Sequence, residues 1–167
     1  VGRVPGAFEP DASGRPHAVR MLTWVPGRVL ASVKPHTPEL LQSLGTLLGG
    51  LDRALATFDH PVADRSLKWD PKKAAWVRPY VAQIPDPARR ALVKRLSAWS
   101  DEILDRVGPS LPVSVIYNDA NDHNVLVDGD DPYTRRVISV IDFGDVLQTW
   151  TVNELAVAAA YAMLDKP

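Results

Sequence analysis

The sequence predicts an α+β fold, mainly helical, with a small β-hairpin that carries polar residues at its ends. Two long stretches repeat apolar residues at three- and four-residue steps, the period of a helix with one buried face. The last third instead holds short β-branched runs separated by turn formers. At 167 residues the chain has the size of one domain, with interior enough for a core.

The elements follow in order. Residues 1–15 are rich in glycine, proline and polar side chains, with a turn at Asp11-Ala12-Ser13-Gly14. Residues 17–25 alternate well enough for a strand, which Pro26-Gly27 ends, so a hairpin feeding a connector is expected. Thr37-Pro38-Glu39 is a helix start: a hydroxyl cap, a proline at the first helical position and an acid near the positive end of the dipole. Leu40, Leu44, Leu47, Leu51, Leu55 and Phe58 make its stripe, and Gly45, Gly49 and Gly50 are expected to face a close neighbour. Asp86-Pro87 opens a second helix, striped by Leu92, Leu96, Trp99, Ile103 and Val107 and stopped by Gly108-Pro109. Between the two, residues 59–85 read as irregular. Strands are predicted over 113–116, 124–128 and 136–142, the last two joined by Gly129-Asp130-Asp131-Pro132. Residues 152–164 are alanine-rich and helical.

Composition narrows the function classes. Hydrophobic content of 46% and charged content of 23% are those of an ordinary globular protein. A formal charge of −1 without long runs of one sign argues against a nucleic-acid surface or a polybasic membrane patch. Charged residues break every long apolar stretch, so no bilayer span is expected, and Arg3, Glu9 and Asp11 interrupt any signal-peptide run. The chain has no cysteine, which excludes disulfides, thiolate zinc sites and a cysteine nucleophile. A reducing, cytoplasmic setting is the expectation.

The chemistry concentrates in two segments. A buried strand delivers Tyr117-Asn118-Asp119 into a loop, with Asn124 five residues past the acid. The next hairpin ends in Asp142-Phe143-Gly144-Asp145. Side chains at strand ends are held on a rigid frame. Magnesium prefers hard oxygen ligands and takes one or two from carboxylates, leaving places for phosphates. Asp142 supplies a carboxylate and Asn124 a neutral carbonyl oxygen, while Asp119 is left to take a proton from an acceptor hydroxyl. Taken alone, Asp119 and Asn124 read as turn formers; their order with Asp142-Phe143-Gly144 favours chemistry.

The segment from Tyr117 to Asn124, followed by Asp142-Phe143-Gly144, resembles the catalytic loop and second metal motif of protein kinases and aminoglycoside phosphotransferases. Asn121-Asp122-His123-Asn124-Val125-Leu126-Val127 with Ile141-Asp142-Phe143-Gly144-Asp145 is most similar to the hydroxylysine kinase branch. Leu67-Lys68-Trp69-Asp70 and Arg20-Met21-Leu22-Thr23-Trp24-Val25-Pro26-Gly27 extend the likeness upstream. The resemblance implies a protein-kinase-like C-terminal lobe and the cofactors ATP and Mg²⁺. In it Asp119 is the catalytic base, Asn124 and Asp142 are metal ligands, and the hinge at Thr23 and Val25 meets the adenine. Asp145, Trp69 and Asp70 are candidates for an acceptor pocket. The implied reaction phosphorylates a hydroxyl of a small, amine-bearing molecule. That branch includes similar domains fused to class III aminotransferases, so such a fusion partner belongs to the expectation.

Departures are equally specific. The family usually writes His-Gly-Asp where this chain has Tyr117-Asn118-Asp119, and asparagine tolerates a positive φ better than most residues. Asn121 replaces the lysine of Ser/Thr protein kinases, favouring a small-molecule acceptor. No glycine-rich phosphate loop and no Val-Ala-Ile-Lys-type strand occur, and Val1 is no initiator methionine. The chain is therefore expected to be a piece of a longer protein, inactive alone, with the N-terminal lobe largely missing: residues 1–27 end that lobe and form the hinge, and 28–167 form the catalytic lobe. A non-catalytic binding or scaffolding module is the rival reading, and a metal-dependent hydrolase a third. Trp69 and Trp76 read first as packing aromatics, Asp145 as a turn cap or a substrate group, and His123 as a loop-packing residue. Glu154 reads as a charge at the start of the last helix and Arg135-Arg136 as a solvated pair.

Overall fold

The computed structural model describes residues 7–10, 12–19 and 21–164. The predicted opening over 1–6, with Asp11 and Arg20, lies outside them. β1 (Ala7–Pro10) and β2 (Pro16–Val19) pair antiparallel, the expected hairpin. The strand predicted over 17–25 ends at Val19: residues 21–27 have no regular structure, and Met21, Leu22 and Trp24 are exposed. Alternation makes a strand only where one face has a layer to bury against, and 21–25 has none. Gly27 then passes close to the sheet, where a Cβ would lie 3.3 Å from Leu126 Cβ and from the Val127 carbonyl oxygen.

β3 (Arg28–Val29), β5 (Val125–Asp128) and β6 (Arg136–Val140) form an antiparallel sheet in the order β3-β5-β6. A separate ribbon pairs β4 (Val113–Ile116) with β7 (Leu147–Trp150). The strand β7 is not predicted from sequence, being four residues whose partner lies more than 30 positions upstream.

The helix α1 (Pro38–Leu55) begins at the predicted cap, where Thr37 Oγ1 accepts the Leu40 N–H at 3.2 Å. Its leucines Leu40, Leu44 and Leu48 are buried with Val125, Val127, Val137 and Val140 of the β5–β6 face, and Ala158 of α3 (Val152–Met163) joins them. Each such side chain stabilises the fold by ~1.5–3 kcal/mol on transfer from water. A bulge between Leu126 and Val127 shifts the ladder, and Ser43 Oγ on α1 accepts the Val137 N–H at 2.9 Å beside it. The expected close neighbours of the α1 glycines are not there. A Cβ at Gly45 would meet nothing within 4 Å, and at Gly49 and Gly50 it would meet only the Arg53 side chain.

Residues 59–85 are not wholly irregular. They hold 3-10 turns at Pro61–Ala63 and Pro71–Gln83, the second capped by Asp70, which accepts the Lys72 N–H at 3.0 Å. Asp70-Pro71 is the same capping grammar as Asp86-Pro87, which starts α2 (Pro87–Val107). No residue of α2 is fully buried: Leu92, Leu96 and Trp99 are exposed, and the helix flanks a cavity of about 830 Å³ floored by Trp150 and Val113. Arg135 is not solvated. It is 4% exposed and donates to the carbonyls of Gly129, Asp130 and Lys34, tying the β5–β6 turn to the chain before α1.

Candidate active site

β4 carries Val115 and Ile116 into the interior, and Tyr117 at its end is fully buried. The Tyr117 hydroxyl donates to the Ile141 carbonyl, and its ring packs edge-on against Phe143 at 5.1 Å. Burial pushes that phenol up, with the charges of Asp119, Asp142 and Glu154 adding to it, so it stays a protonated donor. Tyr117 thereby couples the two loops that carry the candidate residues. At Asn118 the backbone turns left-handed, φ 65°, a conformation asparagine adopts more readily than other non-glycine residues. This kink directs Asp119 out of the strand.

Asp119 is half-buried and held on both oxygens. Asn121 Nδ2 donates to Oδ1 at 2.7 Å, and Asn124 Nδ2 donates to Oδ2 at 2.6 Å. The other end of Asn121, its Oδ1, accepts the N–H groups of His123 (2.9 Å) and Asn124 (3.1 Å), closing a turn of the Asx kind. The Asp122 carbonyl accepts the Ala31 N–H at 2.8 Å, which anchors the loop to the 3-10 turn Leu30–Ser32.

The β5–β6 ladder brings the second loop alongside. Val125 pairs with Val140, and the Ile141 N–H donates to the Asn124 carbonyl at 2.9 Å, so Asp142 lies one residue past the partner of Asn124. Asp142 is also left-handed, φ 59°, and its Oδ1 accepts the Gly144 N–H at 3.0 Å. A Cβ at position 144 would lie 2.9 Å from that same Oδ1, so a larger residue there would displace the Asp142 carboxylate. Arg65 donates to the carbonyls of Gly144 and, at 3.3 Å, Val146, bracing this turn from the loop after α1.

The three acids interact. Burial pushes the Asp119 carboxyl up, the charges of Asp145 and Asp142 push it further, and the bonds from Asn121 and Asn124 pull it back. Among the described residues no three His, Cys, Asp or Glu side chains form a metal cluster. The oxygen set on offer is smaller: the Asp142 carboxylate and the Asn124 carboxamide oxygen, whose amide nitrogen is already committed to Asp119. Two protein oxygens with repelling carboxylates nearby suit a hard divalent cation that draws its remaining ligands from phosphate and water.

The other sequence candidates are placed differently. Asp145 is half-buried in the 3-10 turn Phe143–Asp145, and its carbonyl accepts Asn118 Nδ2 at 3.3 Å. Asp70 is buried: besides the Lys72 N–H, its Oδ1 accepts Thr149 Oγ1 at 2.8 Å and Asn153 Nδ2 at 3.2 Å. Trp69 is exposed in the preceding turn. Thr23 and Val25 lie in the exposed 21–27 segment, outside the hydrogen-bonded Asp119 cluster.

Arg65 was not singled out from the sequence, and Asn121 and Glu154 were assigned other roles there, an acceptor preference and a helix-terminal charge. Asn121 was legible from its Asx-turn spacing to His123 and Asn124. Glu154 was not: it is 1% exposed, and its Oε2 accepts the Asn118 N–H at 2.9 Å across the core rather than capping its own helix.

Residues 2–167 match the model of a family described as the phosphotransferase enzyme family, APH. Hydroxylysine kinase from Mus musculus is 28% identical over 158 residues, which cover 89% of this chain and 42% of the relative. The Bos taurus protein of that name is 28% identical over 160 residues, with shares of 89% and 42%. The one from Danio rerio is 26% identical over 156 residues, with shares of 90% and 43%. The chain thus spans less than half the length of the curated relatives it matches.

Proposed function

We infer that this chain, which belongs to the phosphotransferase enzyme family APH, carries the catalytic and metal-binding lobe of a small-molecule kinase. The reaction is transfer of the γ-phosphoryl group of ATP to the hydroxyl of a small, amine-bearing acceptor. One observation carries the reading: a strand end and an antiparallel ladder bring Asp142 beside Asp119 and Asn124, some twenty residues upstream, in one hydrogen-bonded and electrostatically coupled group.

Asp119 acts as general base. Its oxygens each accept one amide N–H and retain a lone pair for the acceptor hydroxyl, whose oxygen attacks phosphorus as its proton passes to the carboxylate. The bond from phosphorus to the bridging oxygen breaks and ADP departs. A carboxyl whose affinity for a proton is raised by burial is a stronger base than a solvated one. Asn124 and Asp142 would hold Mg²⁺, which when bound offsets phosphate charge. Asp145 adds negative charge beside Asp119, which complements a cationic acceptor; Trp69 is the exposed aromatic candidate for that pocket, and Asp70 acts behind it as the anchor of β7 and α3.

The lobe assignment is part of the same proposal. Residues 28–167 form the catalytic lobe, and 1–27 form the end of the ATP-clasping lobe and the hinge, with Thr23 and Val25 against the adenine. The shared 42% of the relatives' length supports it, and so does the absence from the chain of a glycine-rich phosphate loop. On this reading the chain alone has no turnover. No helix among the described residues is long and apolar enough to cross a membrane, and the cytoplasm is the proposed location.

The test uses the full-length protein with ATP, Mg²⁺ and a panel of hydroxylated amines. Asp119→Ala should lower kcat by at least about 10²-fold without loss of fold, and Asp142→Ala should weaken Mg²⁺–nucleotide binding in calorimetry. A wild-type protein without turnover would favour the scaffolding module; an active Asp119→Ala variant would remove the assigned base.

A further inference from the structure

A cation reaches the metal loop from a part of the chain that the reaction described above does not use. Arg65 follows the 3-10 turn Pro61–Ala63, which His60 holds at its start: the ring Nδ1 accepts the Val62 N–H at 3.2 Å, and the carbonyl accepts the Ala63 N–H at 2.8 Å. Asp70 ties the far end of this strap to Thr149 of β7 and Asn153 of α3. A cavity of about 350 Å³, lined by Phe58, Val62, Phe143 and Val146 among others, lies between strap and metal loop. Among the described residues Arg65 is the strap side chain whose hydrogen bonds cross to that loop. Its Nη2 donates to the Gly144 carbonyl and, at 3.3 Å, to the Val146 carbonyl.

What Arg65 leaves alone is as informative as what it holds. Gly144 lies between Asp142 and Asp145 in the chain, and a guanidinium docked on such a turn would ordinarily pair with a carboxylate. Among the described residues Arg65 makes no ion pair, and both of its partners are main-chain oxygens. An arginine on the Asp142 carboxylate would compete with a metal ion for the same oxygens. On the carbonyls it fixes the turn and leaves that carboxylate open.

Gly144 is thereby held from both sides. Its N–H donates to Asp142 Oδ1 at 3.0 Å, and its carbonyl accepts Arg65. Asp142 is left-handed, φ 59°, and a non-glycine residue stays in that conformation only where its surroundings over-determine it. We propose that Arg65 is a positioning residue for the metal: by clamping the Gly144 and Val146 carbonyls it holds in place the N–H that orients Asp142 Oδ1, and so sets how tightly Asp142 binds a metal–nucleotide complex. This rests on the functional reading above. Its distinctive feature is that the clamp comes from the strap after α1, some 80 residues upstream, and touches neither metal nor substrate.

The experiment uses full-length protein labelled with ¹⁵N-glycine. In metal-free protein Arg65→Ala should speed hydrogen exchange at the Gly144 amide by about tenfold relative to wild type, because the turn loses its outer constraint. Calorimetric titration with Mn²⁺–ADP should show binding weakened by about tenfold. In the kinase assay the Mg²⁺ concentration for half-maximal rate should rise by a similar factor, with kcat at saturating Mg²⁺ within about threefold of wild type. Arg65→Lys keeps the charge on a more flexible stem and should fall between the two. Arg78→Ala removes an arginine that pairs with Asp101 away from the metal loop, and it should leave all three readings unchanged.

An Arg65→Ala protein whose Mn²⁺–ADP affinity or Gly144 exchange matches wild type overturns the positioning role, whatever its kcat, and leaves the kinase reading standing. Full-length wild type that neither binds Mn²⁺–ADP nor transfers phosphate overturns the kinase reading, and this role with it. Should Arg65→Ala fail to fold, Arg65→Lys decides the matter: an affinity equal to wild type overturns the role, and one weakened by about threefold or more supports it.

Discussion

Replacing Glu154 by glutamine should make the protein more stable at alkaline pH, the reverse of what losing a hydrogen-bonded glutamate usually does. The folded carboxyl titrates at about 7 against an ordinary 4.5, because burial disfavours its charge more than the backbone N–H groups favour it. The folded state therefore binds this proton more tightly than the unfolded state. Its stabilising contribution is complete below pH 4.5 and is lost as pH rises through 7. At about 1.4 kcal/mol per tenfold in proton affinity, the full loss is about 3 kcal/mol, and about 2 kcal/mol of it falls between pH 5.5 and 8.5. Glutamine occupies the same volume, offers a carbonyl oxygen to Asn118 and does not titrate. Urea unfolding of wild type and variant at the two pH values isolates the effect. Asp52, which burial also pushes up, titrates in both proteins and cancels to first order. The variant's stability relative to wild type should rise by about 2 kcal/mol from pH 5.5 to 8.5. An unchanged difference, or one moving the other way, would mean that ionised Glu154 carries no net cost in the folded protein.

Other perturbations probe the two loops and the core. Asn118→Val puts a β-branched residue at φ 65° and should lose about 1–2 kcal/mol in urea unfolding, whereas Asn118→Gly should lose less. Gly144→Ala sets a methyl 2.9 Å from Asp142 Oδ1 and should weaken Mg²⁺–nucleotide binding by roughly tenfold in calorimetry, with stability changed far less. Leu40→Ala, at a fully buried site between α1 and the sheet, should cost ~2–5 kcal/mol by the same unfolding assay.

What the sequence made legible was local. Thr37-Pro38-Glu39 and the leucines after it define α1 because cap and stripe lie within one stretch of chain, and the 124–142 hairpin declares itself through the turn formers Gly129-Asp130-Asp131-Pro132 between β-branched runs. The candidate loop was legible for a related reason: an acid, an amide five residues on and an acid at the end of the next hairpin are fixed by spacing. Features depending on distant partners were not. Glu154 is a loop anchor only because α3 packs against the end of β4, and β7 is a strand only because β4 is there to receive it. Asp70 suggested an acceptor contact, while Thr149 and Asn153, some 80 residues away, draw its carboxylate inward. Arg135 looked solvated because nothing local reveals the carbonyls that surround it. The stripe of α2 was real in period and yet unburied, since periodicity reports a helix and not its neighbour.

The most direct measurement is a crystal structure of the full-length protein with Mn²⁺ and a non-hydrolysable ATP analogue, read by anomalous scattering. A metal peak coordinated by the Asn124 carboxamide oxygen and the Asp142 carboxylate is expected, with the terminal phosphate facing Asp119. A metal–nucleotide complex bound elsewhere, with Asn124 and Asp142 uncoordinated, would contradict it.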